Sequence, residues 1–334
     1  MSTQPALRIG TRKSKLAVWQ AKRVQQLLSR AELPSRLVYI STEGDKVLDT
    51  PLPMFGGKGV FTKALDDALL AGEIDLAVHS FKDVPTRLPE GLQVGAVLQR
   101  AQPDDVFVGH PAAVTRWKNA RQSAPKGTEG DPLAAYFADF KQVTIATGSN
   151  RRRAQWAERY PRHQIVDLRG NVQTRLQKII DHQWAGAIFA RAGLERLGLQ
   201  ARITTLLDWM IPAPAQGAIA VMCPAETPAL ERLQAALHHP QTARCVQQER
   251  HLLNILEGGC SAPLGALCET LPDGSYRLRG CLLSLDGNKR LDCSLTAPAA
   301  EAHTLGELAA KELQQKGATQ LIAEIEAQKP EGSK

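Results

Sequence analysis

Apolar positions in the first hundred residues alternate between two rhythms. Leu7-Arg8-Ile9-Gly10 has the short extended pattern of a strand, and Thr11 to Ser14 reads as a turn supplying a helix cap. Ala17, Ala21, Val24 and Leu28 then recur at intervals of three and four, which predicts a helix with one buried face. A second strand is predicted over 35–41. Gly56-Gly57-Lys58-Gly59 reads as a loop, and Phe61, Ala64, Leu65, Ala68 and Leu69 form another helical stripe. Gly72 ends that helix, and Ile74-Asp75-Leu76-Ala77-Val78-His79 gives the next strand. Alternation of this kind predicts a parallel α/β domain, with ligands at the carboxyl ends of its strands.

The rhythm lapses over 111–137, a stretch rich in Pro, Gly, Lys and Ala that reads as an exposed insertion. It then resumes: strands over 142–146, 164–168 and 185–190, with helices from Arg151 and over 174–183. Pro212-Ala213-Pro214-Ala215-Gln216-Gly217 looks like a crossover into an apolar strand over 218–222. From about Gln241 the order changes to a helix, a cysteine loop, a hairpin of 276–283 and 290–295 around Asp286-Gly287, and a helix over 302–315. The predicted architecture is two α/β domains (1–102 with 216–238, and 103–215) followed by a small α+β domain over 239–334.

Composition narrows the setting. A chain of 334 residues is long for a single core. It contains no apolar run near the ~20 residues that span a bilayer, and Met1 to Gly10 lacks a signal-peptide core, so a cytoplasmic protein is expected. Six cysteines without Cys-x-x-Cys or His-spaced groups argue against a disulfide framework or a zinc site. The net charge of +7 asks for an anionic partner. Only 5% of residues are aromatic, and the cations recur singly at strand–helix turns, which favours a compact anion over nucleic acid.

Those cations are the first candidate chemistry. Arg151, Arg152 and Arg153 begin a predicted helix, where the dipole is unfavourable to cations unless an anion is shared among them. Arg12 precedes a helix in the same way, Arg169-Gly170-Asn171 ends a strand, Arg175 begins the next helix, and Arg191 and Arg196 flank another turn. Guanidinium forks suit carboxylates. A phosphorylated ligand stays open, although no Walker or Gly-x-Gly-x-x-Gly loop follows a strand. Asp83, in His79-Ser80-Phe81-Lys82-Asp83-Val84-Pro85, stands at the carboxyl edge of the first sheet; it is either a turn residue or a group that handles protons and cationic intermediates. Cys260, in Leu256-Glu257-Gly258-Gly259-Cys260-Ser261-Ala262-Pro263, is either a buried loop thiol or an accessible nucleophile.

Together these stretches resemble the porphobilinogen deaminase (hydroxymethylbilane synthase) family over nearly the whole chain. The match rests on Leu7 to Gln20, Gly56 to Gly59, Ala77 to Pro85, Leu168 to Arg175 and Leu256 to Cys260, in order and at compatible spacing. The resemblance implies two lobes like those of periplasmic binding proteins and a third domain carrying the cysteine. It implies a monomeric cytoplasmic transferase that condenses four porphobilinogens into a linear tetrapyrrole, with neither nucleic acid nor membrane as partner. It implies a dipyrromethane cofactor held through a thioether by Cys260, and Asp83 as the catalytic carboxylate. Ser14, Lys82, Thr147, Ser149, Arg151, Arg152, Arg169 and Gly170 match cofactor-binding positions. Arg12, Arg175 and Arg196 match substrate positions, with Lys58, Ser80 and Gln20 beside them. Each pyrrole carries an acetate and a propionate, which accounts for repeated arginines. The chain departs from the family's habit at Lys15 (commonly proline), Glu43 (arginine), Met54 (lysine), Asn150 (leucine) and Ala215 (glycine). Two other readings are a periplasmic-type binding module, which would need a secretion signal or DNA-binding domain and gives Cys260 no purpose, and a nucleic-acid binder, which a salt-dependent shift with DNA would have to support.

Overall fold

The computed structural model describes residues 5–41, 62–122, 131, 133–256 and 262–328. β1 (Leu7–Thr11) passes through a turn into α1 (Lys15–Arg30), where the Ser14 hydroxyl accepts a hydrogen bond from the Ala17 N–H at 3.3 Å. α1 buries Gln20, Ala21, Val24 and Leu28 on one face. β2 (Ser35–Tyr39) pairs parallel with β1, as does β3 (Leu76–Ser80), which follows α2 (Lys63–Leu70). β4 (Leu92–Val97) completes the outgoing half of this lobe, and the chain crosses into β5 (Asp105–Gly109).

The second lobe continues with α3 (Pro111–Gln122), α4 (Ala134–Phe137), β6 (Thr144–Ala146), α5 (Asn150–Arg159) and β7 (Gln164–Val166). α6 (Val172–Asp181), β8 (Gly186–Ala190), α7 (Arg191–Arg196) and β9 (Thr205–Leu206) follow. The chain then returns through β10 (Ile219–Pro224) and α8 (Leu230–Leu237) to the first lobe. The two sheets run β2-β1-β3-β10-β4 and β7-β6-β8-β5-β9. Neither is purely parallel, which corrects the expectation from alternation. β10 lies antiparallel between β3 and β4, with Val221 opposite Val78, and β5 lies antiparallel between β8 and β9. Each is a strand that arrives from the other lobe and so enters its sheet from the opposite end.

Residues 111–137 also differ from expectation. Pro111 opens α3, a position that suits its fixed φ. Ala113, Trp117, Leu133, Tyr136 and Phe137 then close one face of the second lobe's core, together with Phe107, Ile145 and Trp156. In this helix Ala113 and Trp117 are buried and Val114 packs beside them, a stripe confined to its first two turns and too short to register as periodic. The stretch is structural core at both ends; 123–130 and 132 lie outside the described residues.

The last unit holds α9 (Pro240–Ile255), the sheet β11 (Leu264–Thr270), β12 (Tyr276–Leu283) and β13 (Arg290–Ala297), then α10 (Leu305–Gln315) and α11 (Ala318–Ala327). β12 and β13 form the predicted hairpin, with Gly287 at φ 79°. A Cβ there would come within 2.6 Å of the Ala154 carbonyl, so glycine lets the turn lie flat on α5. Arg290 pairs with Glu158 of α5 at 2.7 Å beside it.

Candidate active site

The carboxyl end of β3 presents the acid. Leu76 to His79 are buried, so the strand is fixed on both faces up to Ser80, where the chain breaks into a single 3₁₀ turn over Phe81–Asp83. Phe81 points inward at 5% exposure while Asp83 is exposed. The Ser80 hydroxyl accepts from the amide of buried Gln20 at 2.8 Å, tying α1 to the end of β3. Burial, with the positive charge of Arg12 nearby, pushes the His79 imidazole down to about 4, so it is neutral at physiological pH.

Lys82 reaches the crossover segment and donates to Gln216 Oε1 at 3.5 Å. Desolvation pushes its ammonium down to about 8; Arg152 and Arg151 act in the same direction, Asp83 and Asp105 against it. Lys82 therefore senses both lobes at once.

The opposite wall comes from two strand–helix turns of the second sheet. At β6–α5, Thr147 is buried and its hydroxyl accepts from the Ser149 N–H at 3.3 Å. Ser149 takes the N-cap position of α5, but its hydroxyl makes no capping bond. Arg151 and Arg152 follow, 5% and 6% exposed, and both are ionically paired with Asp105. Arg151 Nη1 lies 2.7 Å from Asp105 Oδ2, and Arg152 contacts Oδ1 through Nη2 at 2.7 Å and Nε at 2.9 Å. Gln216 donates to the same Oδ1 at 2.9 Å. Burial alone would raise this carboxyl; the two arginines overcome it and hold Asp105 at about 2. Burial lowers Arg152 in turn, but a guanidinium begins so high that the pair stays ionised. Arg153 turns outward to Asp167 at 2.7 Å. Protein carboxylates thus pair with all three arginines, a neutralisation from within the chain that the run of cations alone does not disclose.

At β7–α6 the pattern is different. Arg169 makes no hydrogen bond or ion pair among the described residues, and its guanidinium is lowered by burial. Gly170 sits at φ 106°, a conformation open to glycine, and its carbonyl accepts from Arg175 Nε at 2.6 Å. Arg175 is lowered to about 10 by burial and then by Arg152 and Arg169, with Asp83 opposing. Asp83, Lys82, Arg152, Arg169 and Arg175 therefore share one electrostatic neighbourhood across the lobes.

Arg196 is not joined to that group. It donates to the Gly217 carbonyl at 2.6 Å and lies 5.5 Å over the Trp19 ring. It lines a separate cleft of about 470 Å³ with Trp19, Arg23, Arg100 and His238, and none of Asp83, Arg169 or Arg175 lines that cleft. Cys260 and Lys58 lie outside the described residues, as do Glu43 and Met54. The flanks of the cysteine stretch are described: Leu256 is buried in the third unit's core and Ala262 packs against it. The other five cysteines are buried free thiols. Sequence reasoning missed Asp105 and Gln216, whose partners are distant in sequence and leave no local pattern.

The candidate site is therefore a carboxylate on a tight turn of one α/β lobe, in the electrostatic field of cations from the other. The family follows from comparison with known proteins. Residues 7–232 match the family model described as porphobilinogen deaminase, dipyromethane cofactor binding domain, and residues 243–315 match porphobilinogen deaminase, C-terminal domain. Porphobilinogen deaminase of Synechococcus elongatus is 41% identical over 97% of this chain and 98% of its own. That of Chromobacterium violaceum is 40% identical over 96% and 98%. Among solved structures, the VFT2 domain of Bordetella pertussis BvgS has a TM-score of 0.40 and 14% identity over 75% of this chain and 94% of its own. The chain belongs to the porphobilinogen deaminase family, transferases that carry a dipyrromethane cofactor.

Proposed function

We propose that this chain condenses porphobilinogen head to tail, four units per product, and releases hydroxymethylbilane, with Asp83 as the catalytic carboxylate and Cys260 as the point of cofactor attachment. The observation that carries this reading is the placement of exposed Asp83 within the field of Lys82, Arg152 and Arg175. The residues present fit a dipyrromethane. The Ser149 hydroxyl is not used as a cap, Arg151 Nε is buried without a hydrogen-bond partner, and Arg169 has no carboxylate bonded to it among the described residues. These are unspent donors suited to acetate and propionate groups. When bound, the cofactor supplies a primer whose free pyrrole carbon extends the chain.

The protein's own part is electrostatic and positional. Asp83 stabilises positive charge on pyrrole N–H groups at ammonia loss and after carbon–carbon bond formation. Ser14, Lys82, Thr147, Ser149, Arg151, Arg152, Arg169 and Gly170 hold the cofactor; Arg12, Gln20, Lys58, Ser80, Arg175 and Arg196 hold substrate. The domains divide at 1–102 with 216–238, 103–215 and 239–334, so the acid and the arginines stand on different bodies. The enzyme works as a cytoplasmic monomer without nucleic acid, its positive charge serving a carboxylate-rich substrate; no described helix is long and apolar enough to cross a membrane.

The test is single-turnover consumption of porphobilinogen by Asp83→Asn. Loading is confirmed first by an intact mass exceeding the sequence by two porphobilinogens less two ammonias. The rate falls by about 10²–10⁴-fold, and Asp83→Glu retains more activity than the amide. A loaded Asp83→Asn protein at the wild-type rate removes the aspartate from the mechanism.

A further inference from the structure

Arg250 is a cation spent wholly on backbone. It stands on α9, ten residues before Cys260. Nη1 donates to the Val84 carbonyl at 2.8 Å and the Phe81 carbonyl at 3.3 Å, and Nη2 donates to the Pro85 carbonyl at 2.6 Å. The guanidinium carbon lies 4.3 Å from the centre of the Phe81 ring. No carboxylate pairs with it among the described residues. Three carbonyls from both sides of Lys82 and Asp83 thus converge on one planar fork. Core packing of Phe81 and Val84 anchors the turn's apolar side chains, but its other backbone bonds among the described residues are two: Val84 N–H reaches Phe81 O at 3.2 Å, and Phe81 N–H reaches Ala218 O at 3.0 Å.

We propose that Arg250 is a positioning residue that clamps the Phe81 to Pro85 turn onto the helix leading to Cys260, and so fixes where Asp83 stands relative to a group carried on that cysteine. The inference rests on the reading of Asp83 and Cys260 given above. A lysine could keep the charge and one carbonyl, but not the three-way fork.

The experiment is a double-mutant cycle on protein purified with its cofactor, loading checked by intact mass, with porphobilinogen as the probe. Arg250→Met should lower the single-turnover rate about 10–100-fold, as expected when a reacting group is displaced by about an ångström, and Arg250→Lys should fall between it and wild type. Native-state hydrogen exchange should show the Phe81 and Val84 amides losing protection while those of β12 keep theirs. In an Asp83→Asn background, Arg250→Met should change the rate by less than about threefold, because the group it places is already gone. Equal losses in both backgrounds, a wild-type rate in loaded Arg250→Met, or unchanged exchange at residues 81 and 84 would each overturn the proposal. If Arg250→Met does not fold, Arg250→Lys carries the same cycle with smaller factors. A wild-type rate in Asp83→Asn alone refutes the acid's assignment instead; exchange then decides separately whether Arg250 holds the turn.

Discussion

The β6–α5 and β7–α6 turns have the same local architecture and opposite electrostatics. Each joins a short strand, parallel to its neighbour, to a helix whose first turn carries arginine. At the first turn, Arg151 and Arg152 share buried Asp105, and Arg153 has Asp167. At the second, Arg169 has no bonded partner among the described residues and Arg175 has a single carbonyl. An arginine's position in a motif therefore does not reveal what neutralises it. The first turn has its charges paired within the protein, which fixes its geometry and leaves Arg151 Nε unbonded among the described residues. The second leaves its arginines without a bonded carboxylate among the described residues, close enough to Asp83 for its charge to reach Arg175.

The largest effect that follows is on stability. Asp105→Asn leaves two guanidinium groups buried without their shared charge, and breaking a buried pair by removing one partner costs about 3–5 kcal/mol. Urea unfolding should show this loss, with porphobilinogen activity falling along with the folded fraction. A variant as stable as wild type would mean that the first turn is not held by Asp105, and the contrast between the turns would collapse.

The same carboxylate sets an acid limit. Its pKa in the folded chain is about 2 against an ordinary 3.8. A depressed carboxyl contributes stability that is present above the unfolded value and lost as pH falls through the folded one. The window is therefore about pH 4 down to 2, and the contribution roughly 2 kcal/mol. Denaturant midpoints measured across that range should flatten in Asp105→Asn relative to wild type. An identical slope in both would place the acid sensitivity elsewhere.

Arg169→Leu tests the open turn. It removes a charge with no bonded counter-ion among the described residues, so the folded chain should be no less stable, while assembly of the covalent cofactor slows roughly tenfold for one lost charge-assisted contact of about 1.5 kcal/mol. Thermal melting together with cofactor loading by intact mass separates the two effects. Lost stability with unchanged loading would reverse the assignment of the turns.

What the sequence disclosed and what it concealed divide along the range of the interactions. The Ser14 cap, the end of β3 and the β12–β13 hairpin were legible because their causes lie within a few residues. The Arg151 to Arg153 run was legible as a problem, cations at a helix start, but its solution lies 46 residues away in Asp105 and could not be read locally. The antiparallel β5 and β10 were hidden for a similar reason: buried on both faces, they show an apolar run with no hint of direction. Ala215 shows the opposite case, a departure the structure explains in part. It adopts φ 61°, where the family's common glycine would be unstrained and alanine costs about 1–2 kcal/mol. Its N–H is held by the buried Glu249 carboxylate at 2.6 Å, a bond that keeps the residue in place.

The smallest effect belongs to Arg153 and sharpens the comparison from within the first turn. It is the third arginine of one uninterrupted run, yet its partner Asp167 has a side chain 71% exposed. Surface pairs of this kind contribute about 0–1 kcal/mol, because water already solvates both ions and two long side chains must be ordered to make the contact. Arg153→Gln should therefore change the unfolding midpoint by at most a few tenths of a kcal/mol by the same reasoning. The consequence lies in the second turn. Asp167 is also the acid whose charge reaches Arg169, and without Arg153 it is free to lean that way. Part of the positive charge facing the site would then be neutralised from within the protein. Arg153→Gln should lower cofactor loading slightly, in the direction of Arg169→Leu, and Arg153→Gln combined with Asp167→Asn should restore it. Intact-mass loading of the single and double variants reads this directly. A single variant that loads like wild type would show that the two turns are electrostatically independent.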